Sequence, residues 1–229
     1  MDRAARIAGA HRLGVTLTDA QWTALEDYVS LLLRWNARFN LISRRDAQRV
    51  WSRHILDSLS VLPILEAECR RHAGRRLRAL DLGSGAGLPG LPLAVGLPDV
   101  DWLLVDRNRR KVRFLELAAA TLTLANVSVR ALDLGRETPD ALCRCTDVLV
   151  SRAVAAPAEL LRVGAPMVRA GGLMVLLSGA EGGRAGKATA PGSGDTSMSV
   201  QYLDIPGLDQ AHEVTIIRAG AEEAPGSGA

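Results

Sequence analysis

Residues 80–92, which read LDLGSGAGLPGLP, carry glycines at alternate positions directly behind an acid. The acid is Asp81, and the alternating glycines are Gly83, Gly85 and Gly87. Glycine accepts positive φ angles and lets a ligand approach the backbone closely. The first turn of a helix, which Pro89 suits, would add unpaired N–H groups. The stretch therefore predicts a strand, a ligand-cradling turn and a helix in succession.

Two classes of ligand fit such a turn. Residues 85–90 match the GxGxxG pattern of dinucleotide-binding enzymes, whereas residues 81–87 match the acid-x-Gly-x-Gly-x-Gly turn of adenosylmethionine-dependent methyltransferases. Asp81 would repel a pyrophosphate but attract the amino group of a methionine, and this favours S-adenosylmethionine. Asp106 ends the next predicted strand, about twenty residues after the turn, where an acid holds ribose hydroxyls in either case. A purely structural glycine turn, with Asp106 on the surface, is the remaining interpretation.

Short apolar runs alternate with helical patterns from residue 78 onwards. The predicted strands cover 78–82, 101–106, 127–132, 146–151 and 172–178. Helices are predicted over 88–97, 108–125 and 157–169. Apolar strands separated by helices are typical of a mostly parallel sheet with helices on its faces. Two closing strands, 200–205 and 213–218, follow a segment rich in Gly, Ser and Ala, 179–199, which we expect to be a mobile loop.

The chain before the sheet is predicted to be helical. Apolar residues spaced three and four apart predict a helix over 18–41, with a capping box between Thr18 and Gln21 at its start. A second helical pattern covers 47–68, and Pro63 should break or kink it.

Two polar residues of this second pattern, His54 and Asp57, lie three positions apart and so share a helix face. They could line the mouth of the ligand pocket. The favoured interpretation is a structural hydrogen bond that links the helical segment to the sheet.

The composition excludes several classes of protein. With 229 residues, 48% of them hydrophobic and 23% charged, the chain is typical of a globular protein. Its cysteines have no metal-ligand spacing, so we expect neither a metal site nor a disulfide scaffold; they are Cys69, Cys143 and Cys145. We expect no membrane segment and a cytoplasmic location, because the chain has no sufficiently long apolar run and no apolar signal core. Arginine clusters at 70–78 and 107–113 could contact phosphates.

Five segments resemble, in their order and spacing, the RsmG family, also called GidB. They read LLLRWNARFNLIS (31–43), RHILDSL (53–59), DLGSGAGLPGLPLA (81–94), KVRFLE (111–116) and VSRA (150–153). The resemblance runs from about residue 17 to the strand near 218. The family consists of bacterial methyltransferases that transfer a methyl group from S-adenosylmethionine to N7 of one guanine in small-subunit ribosomal RNA.

The resemblance implies an α/β, Rossmann-like class I methyltransferase fold: a mostly parallel sheet with an antiparallel closing hairpin, and an N-terminal helical cap. We accordingly expect the cap over 1–75 and the S-adenosylmethionine-binding core over 76–218. Residues 219–229 are expected to be a disordered tail. The implied partners are ribosomal RNA and the small ribosomal subunit.

The resemblance also implies site residues. Those expected to contact the cofactor are Gly83, Gly85, Leu88, Asp106, Leu132, Asp133 and Arg152. Arg152 is also expected to reach guanine O6 or a phosphate, and Arg110 and Lys111, at the start of the helix after Asp106, could hold RNA phosphates. No catalytic base is expected, because guanine N7 already carries a lone pair.

Two positions depart from the family pattern. The lysine that usually follows the fifth strand is replaced by Ser178, and His212 stands where an arginine is common before the last strand. Both changes would remove cations from the RNA side. They keep open the alternative that the chain is a non-catalytic RNA-binding or ribosome-assembly module that retains the methyltransferase fold. An NAD(P)-dependent oxidoreductase built on GxGxxG is a third hypothesis.

Overall fold

The computed structural model describes residues 1–133, 142–152, 157–178 and 196–220, with the side chains of 157–159 left out. A seven-stranded sheet lies at the centre of this part of the chain. Its strands are β1 (Leu77–Leu82), β2 (Val100–Asp106), β3 (Val127–Ala131), β4 (Thr146–Arg152), β5 (Val168–Ser178), β6 (Ser197–Leu203) and β7 (His212–Arg218). The helices are α1 (Arg3–Arg12), α2 (Asp19–Phe39), α3 (Arg44–Ala47), α4 (Asp57–Leu59), α5 (Leu62–Arg71), α6 (Gly90–Gly96), α7 (Arg109–Thr121) and α8 (Pro157–Gly164). A π-helical turn covers Trp51–Leu56, and a 3-10 turn covers Ala165–Met167.

The strand order across the sheet is β3-β2-β1-β4-β5-β7-β6. All pairings among β1 to β5 are parallel, and β7 runs antiparallel to both β5 and β6. The mostly parallel sheet with an antiparallel closing hairpin is therefore confirmed. Because β2 and β4 flank β1 on opposite sides, the chain reverses its direction of travel across the sheet at β1. In open α/β sheets ligands bind at the carboxyl ends of the strands beside such a reversal.

The central strands are apolar because both of their faces are covered. Every residue of β4 except the last is buried, whereas β3 and β6, which are the outermost strands of the sheet, are largely exposed. β5 begins at Val168, four residues before the predicted start, and β6 begins at Ser197, inside the segment predicted to be a loop. The rest of that segment, 179–195, lies outside the described residues, as does 221–229 of the predicted tail.

The cap follows the predicted pattern most closely in α2. Thr18 and Gln21 form the predicted capping box, and Asn40, with φ of 48°, ends the helix in the left-handed region. Pro63 lies in the first turn of α5, where its missing N–H costs no hydrogen bond, so the predicted second helix is divided before it. Sequence reasoning did not identify α1, which buries only Gly9 and Ala10.

The cap and the sheet share one apolar core. Trp22 and Leu25 of α2 belong to the same buried cluster as Leu104 of β2. Trp35 of α2 packs on Phe114 of α7, with ring centroids 5.6 Å apart. The cap is thus fixed against the sheet by packing as well as by the polar contacts described below.

None of the described helices is long and apolar enough to span a bilayer. Within the same described ranges, no group of three or more His, Cys, Asp or Glu side chains could hold a metal ion.

Candidate functional site

Asp81, near the end of β1, is fully buried. Its Oδ2 accepts a hydrogen bond from the Gly90 N–H at 3.0 Å, at the start of α6. Its Oδ1 is buried and has no hydrogen-bond partner among the described residues. Burial raises the pKa of this carboxyl to about 7, although the nearby Ser84 hydroxyl, the Gly90 N–H and the Arg152 charge oppose the rise. A buried acceptor left in this state carries a desolvation penalty that a ligand donor would remove.

The glycines of the turn have two different tasks. All three alternating glycines have positive φ, namely 73° at Gly83, 59° at Gly85 and 91° at Gly87. A Cβ on Gly87 would lie 2.4 Å from the Leu91 side chain, so this glycine allows close packing of the helix. A Cβ on Gly85 would have no heavy atom nearer than 3.8 Å, so its own side of the turn is open. The structure thus leaves room for a ligand at Gly85 and none at Gly87.

Asp106, at the end of β2, lies directly beside this open side. Its Oδ2 accepts from the Gly85 N–H at 2.9 Å and its Oδ1 accepts from the Asn108 N–H at 2.8 Å. The Lys111 ammonium stands 3.9 Å from Oδ2. The Leu132 N–H donates to the Asp106 carbonyl at 3.2 Å, which brings the end of β3 to the same place.

Three further residues of this region are predicted to contact the cofactor, namely Leu132, Asp133 and Leu88. Leu132 and its neighbour Asp133 are half-buried beside the end of β2. Leu88 is buried in the core, and its N–H donates to the Ser84 carbonyl at 3.0 Å. The Leu88–Pro89 peptide is cis, and Pro89 lies just before α6 rather than within its first turn.

Arg152 ends β4, the strand next to β1, with its side chain 15% exposed. Its Nη1 donates to Asp57 Oδ2 and to the Arg53 carbonyl oxygen, each at 3.3 Å. Ser151 fixes the strand end, because its Oγ donates to the Leu82 carbonyl at 2.8 Å. Arg152 therefore stands at the site edge of the sheet in an ion pair with the cap.

Tyr28 is a site residue that sequence reasoning missed. It is fully buried in α2, and its hydroxyl donates to the Ala86 carbonyl, inside the glycine turn, at 2.7 Å. Burial raises the pKa of this hydroxyl far above its ordinary value, so it remains a donor. The available signal was a tyrosine within an otherwise apolar stripe, since a buried tyrosine hydroxyl needs a partner.

Of the two polar residues that could link the cap to the sheet, Asp57 makes hydrogen bonds and His54 makes none among the described residues. Asp57 forms the predicted link between cap and sheet, because its Oδ1 is 2.6 Å from His212 Nδ1 and its Oδ2 binds Arg152. Both ring nitrogens of His54 are buried without a hydrogen-bond partner among the described residues. Burial, together with the Arg152 charge, lowers the His54 pKa to about 3, so the ring is neutral. His212 is only 3% exposed, so its effect falls on this internal contact rather than on an exposed RNA-facing surface.

The start of α7 carries the predicted RNA-contacting cations. Arg110 is exposed, and its backbone N–H is capped by the Asn108 side chain at 2.9 Å. Lys111 leans instead toward Asp106 and the open side of Gly85. Only Lys111 is thus brought next to the glycine turn, while Arg110 stands at the outer surface beside it.

Comparison with known proteins gives a consistent result for the sequence. Residues 21–189 match the family described as rRNA small subunit methyltransferase G. A protein of Sorangium cellulosum named ribosomal RNA small subunit methyltransferase G is 44% identical over 167 residues, covering 73% of this chain and 68% of that protein. A protein of the same name from Burkholderia pseudomallei is 42% identical over 176 residues, covering 75% and 72% respectively.

Solved structures resemble the fold at low sequence identity. A predicted O-methyltransferase from Agrobacterium tumefaciens superimposes with a TM-score of 0.52 at 19% identity, covering 73% of this chain and 80% of that chain. Precorrin-6y C5,15-methyltransferase from Geobacter metallireducens gives a TM-score of 0.50 at 12% identity, covering 70% and 88%. These likenesses support the Rossmann-like methyltransferase fold.

Proposed function

Because the chain belongs to the rRNA small subunit methyltransferase G family, we propose that it transfers a methyl group from S-adenosylmethionine to N7 of a guanine in small-subunit ribosomal RNA. One observation carries the cofactor assignment. A buried carboxylate, Asp81, near the end of the strand that leads into the glycine turn, keeps one oxygen without a partner among the described residues, and the turn itself is open at Gly85.

The residues present suit this cofactor better than a dinucleotide. The unpartnered oxygen of Asp81 would accept from a cationic amino group, whereas a pyrophosphate would be repelled by the same carboxylate. Asp106 would hold the ribose hydroxyls, with Leu132 and Asp133 next to the adenine. When bound, S-adenosylmethionine supplies an electrophilic methyl group on a cationic sulfur. The fit disfavours the oxidoreductase hypothesis.

The chain's own part in the reaction is positioning and electrostatics. Guanine N7 attacks with a lone pair that is already free, so no side chain has to remove a proton first. Orientation of two reactants can supply about 7–11 kcal/mol of a barrier. Arg152 would add charge, by donating to guanine O6 or to a neighbouring phosphate from the edge of its guanidinium that Asp57 does not occupy.

The RNA must present N7 to a site at the end of a sheet. In an A-form duplex N7 lies in the deep, narrow major groove, which side chains do not enter. The target guanine is therefore unpaired or extruded from its helix. Arg110 and Lys111, at the start of α7, would hold phosphates on either side of it.

The test is methyl transfer from isotopically labelled S-adenosylmethionine to small ribosomal subunits from cells that lack this gene, followed by mass mapping of methylated guanines. We expect one guanine to acquire an N7 methyl group. Cofactor affinity is measured in parallel by calorimetry. Absence of cofactor binding and of transfer would overturn the proposal and favour a non-catalytic RNA-binding module.

A matched pair of glycine variants ties the activity to the turn. Gly85→Val places a branched side chain at φ of 59° on the open side, and Gly74→Val places one at φ of 100° in the α5–β1 turn, where nothing lies within 4 Å. Both variants strain the backbone, but only Gly85→Val should abolish cofactor binding. Equal loss in both variants would count against the placement of the cofactor.

A further inference from the structure

Four residues form a ring of hydrogen bonds between the cap and the site edge of the sheet: Arg53, Asp57, Arg152 and His212. Arg53 Nη1 is 3.0 Å from His212 Nε2, and His212 Nδ1 is 2.6 Å from Asp57 Oδ1. Arg152 Nη1 is 3.3 Å from Asp57 Oδ2 and equally far from the Arg53 carbonyl oxygen, which completes the ring. We call this set the cap–strand ring.

The chemistry of the donors fixes the protons in the cap–strand ring. A guanidinium can only donate, so His212 Nε2 accepts from Arg53 and carries no proton. The proton of the neutral imidazole is then on Nδ1, which donates to Asp57 Oδ1. Asp57 therefore accepts on both oxygens, from His212 on one and from Arg152 on the other.

This arrangement holds one edge of Arg152 and leaves the other for a ligand. Only Nη1 of Arg152 donates to described residues, while Nε and Nη2 have no hydrogen bond within the described ranges. Asp57 is 3% exposed, so its contact with Arg152 is shielded from water. Arg152 is close enough to Asp81, Tyr28 and His54 for its charge to affect all three. A guanidinium on a flexible side chain would otherwise lose much conformational freedom when it binds a ligand.

We propose that Asp57, itself oriented by His212, is a positioning residue that presents the free edge of Arg152 to the reacting groups. The inference rests on the proposed function, in which Arg152 assists methyl transfer. Asp57 does not touch the substrate; it acts through Arg152. Loss of Asp57 should therefore slow the transfer step, and it should matter only while Arg152 is present.

A double-mutant cycle on kcat, at saturating S-adenosylmethionine and RNA, tests this dependence. D57N alone should lower kcat about tenfold or more, because small displacements of a catalytic group cost that much. Its affinity for S-adenosylmethionine, from calorimetry, should stay within about threefold. In a chain that already carries R152A, adding D57N should change kcat less than about twofold.

Two His212 variants give a second readout that does not depend on the folding of D57N. The side-chain N–H of asparagine falls where His212 Nδ1 donates, so H212N should keep most of the kcat. H212A removes the donor and should lower kcat as D57N does. Equal values of kcat for H212N and H212A would overturn the inference.

Glu68 supplies a matched control, because it too is a buried carboxylate of the cap that is bound by an arginine, in this case Arg218 of β7. It accepts from Arg218 Nη2 at 2.8 Å and Nη1 at 3.1 Å, at the end of β7 opposite to His212. E68Q should lower the melting temperature without changing kcat. If D57N matches E68Q in this, or slows the R152A chain as much as the unaltered one, Asp57 is structural and the inference fails. Absence of transfer by the unaltered protein would instead overturn the proposed function, and the inference with it.

Discussion

Asp147 and Asp81, which are buried at opposite edges of the parallel sheet, differ in how completely their oxygens are hydrogen-bonded. At the edge formed by the amino ends of the strands, Asp147 accepts from Arg75 Nη1 at 3.0 Å and from the Arg78 N–H at 2.8 Å. Glu68, near the same edge, is bound by Arg218 and by His72. At the carboxyl edge Asp81 keeps an unpartnered oxygen, as far as the described residues extend. The site edge therefore holds a buried hydrogen-bond acceptor that a bound ligand could satisfy.

The pKa directions follow this difference. Burial would raise the pKa of Asp147, but hydrogen bonds from Arg75 and the Arg78 N–H outweigh it and hold the pKa below its ordinary value. Burial similarly opposes the Arg218 hydrogen bonds at Glu68, whose pKa is also lowered. At Asp81 burial prevails and the pKa rises to about 7. The fully hydrogen-bonded carboxylates of Asp147 and Glu68 stabilise the fold, whereas the unpartnered oxygen of Asp81 is available to a cationic ligand.

The largest expected effect is on stability, at the amino edge. Asp147→Asn leaves Arg75 beside a neutral side chain that is almost fully buried. We expect the free energy of unfolding at pH 7 to fall by about 3 kcal/mol, the low end for a broken buried pair because Arg75 is partly exposed. Urea unfolding measures this. The folded variant should bind S-adenosylmethionine as before, and a parallel loss of affinity would erase the contrast between the edges.

The next effect is on binding, at the carboxyl edge. Asp81→Asn keeps an acceptor for the Gly90 N–H but removes the negative charge. We expect the affinity for S-adenosylmethionine to fall about a hundredfold, or about 2.7 kcal/mol, as measured by calorimetry. The melting temperature should not fall, because an ionised carboxylate with a free oxygen in the interior is itself costly. A drop in melting temperature with unchanged affinity would reverse the assignment of the two edges.

The affinity should also depend on pH with a definite sign. The raised pKa of Asp81, about 7, means that the free protein is protonated there below pH 7. A cationic ligand favours the ionised form, so affinity is full above this pKa and is lost as pH falls through it. Between pH 8 and pH 6 we expect about a tenfold loss, measured by calorimetry. Asp81→Asn should show no such change.

The amino edge gives a pH dependence of the same sign, but in the free energy of unfolding rather than in ligand affinity. Because the pKa values of Asp147 and Glu68 are lowered by folding, their stabilisation is complete above their ordinary values. It is lost as pH falls through the folded values. Below about pH 4, the free energy of unfolding of Asp147→Asn should therefore fall less steeply with decreasing pH than that of the unaltered chain.

The smallest effect concerns the hydroxyl of Tyr28. Tyr28→Phe leaves the Ala86 carbonyl without its donor, and we expect a loss of about 1 kcal/mol in unfolding free energy. Tyr202→Phe is the control, because its hydroxyl bond to Glu213 is on a side chain that is 64% exposed. Thermal melts of both variants measure the difference. Equal values would mean that the glycine turn does not depend on the cap.

The sequence correctly predicted those features that depend on neighbouring residues. The glycine turn after β1, the capping box of α2 and the alternation of strands with helices all depend on residues within a few positions of one another. The start of β5 was placed too late because Gly171, directly before the predicted start, interrupts its apolar run. α1 was missed because it buries too few apolar residues to produce a stripe.

The contacts that complete the site join distant parts of the chain, and no periodicity encodes them. Asp57 and His212 are 155 positions apart, and Tyr28 and Ala86 are 58 apart. The sequence identified Asp57 as a link but not its partner, and it placed His212 on the wrong kind of surface. The family resemblance supplied the order of the site residues, while their partners came from the fold.

Strand β7 binds the N-terminal cap, which is about the first third of the sequence, at two points. β7 carries His212 at one end and Arg218 at the other, and these bind Asp57 and Glu68 of the cap. The ribosome adds about 5–20 residues per second. Some 150 further residues must be added after Asp57 and Glu68 before either contact with β7 can form. A nascent chain therefore has neither of these contacts between cap and sheet until β7 has been synthesised.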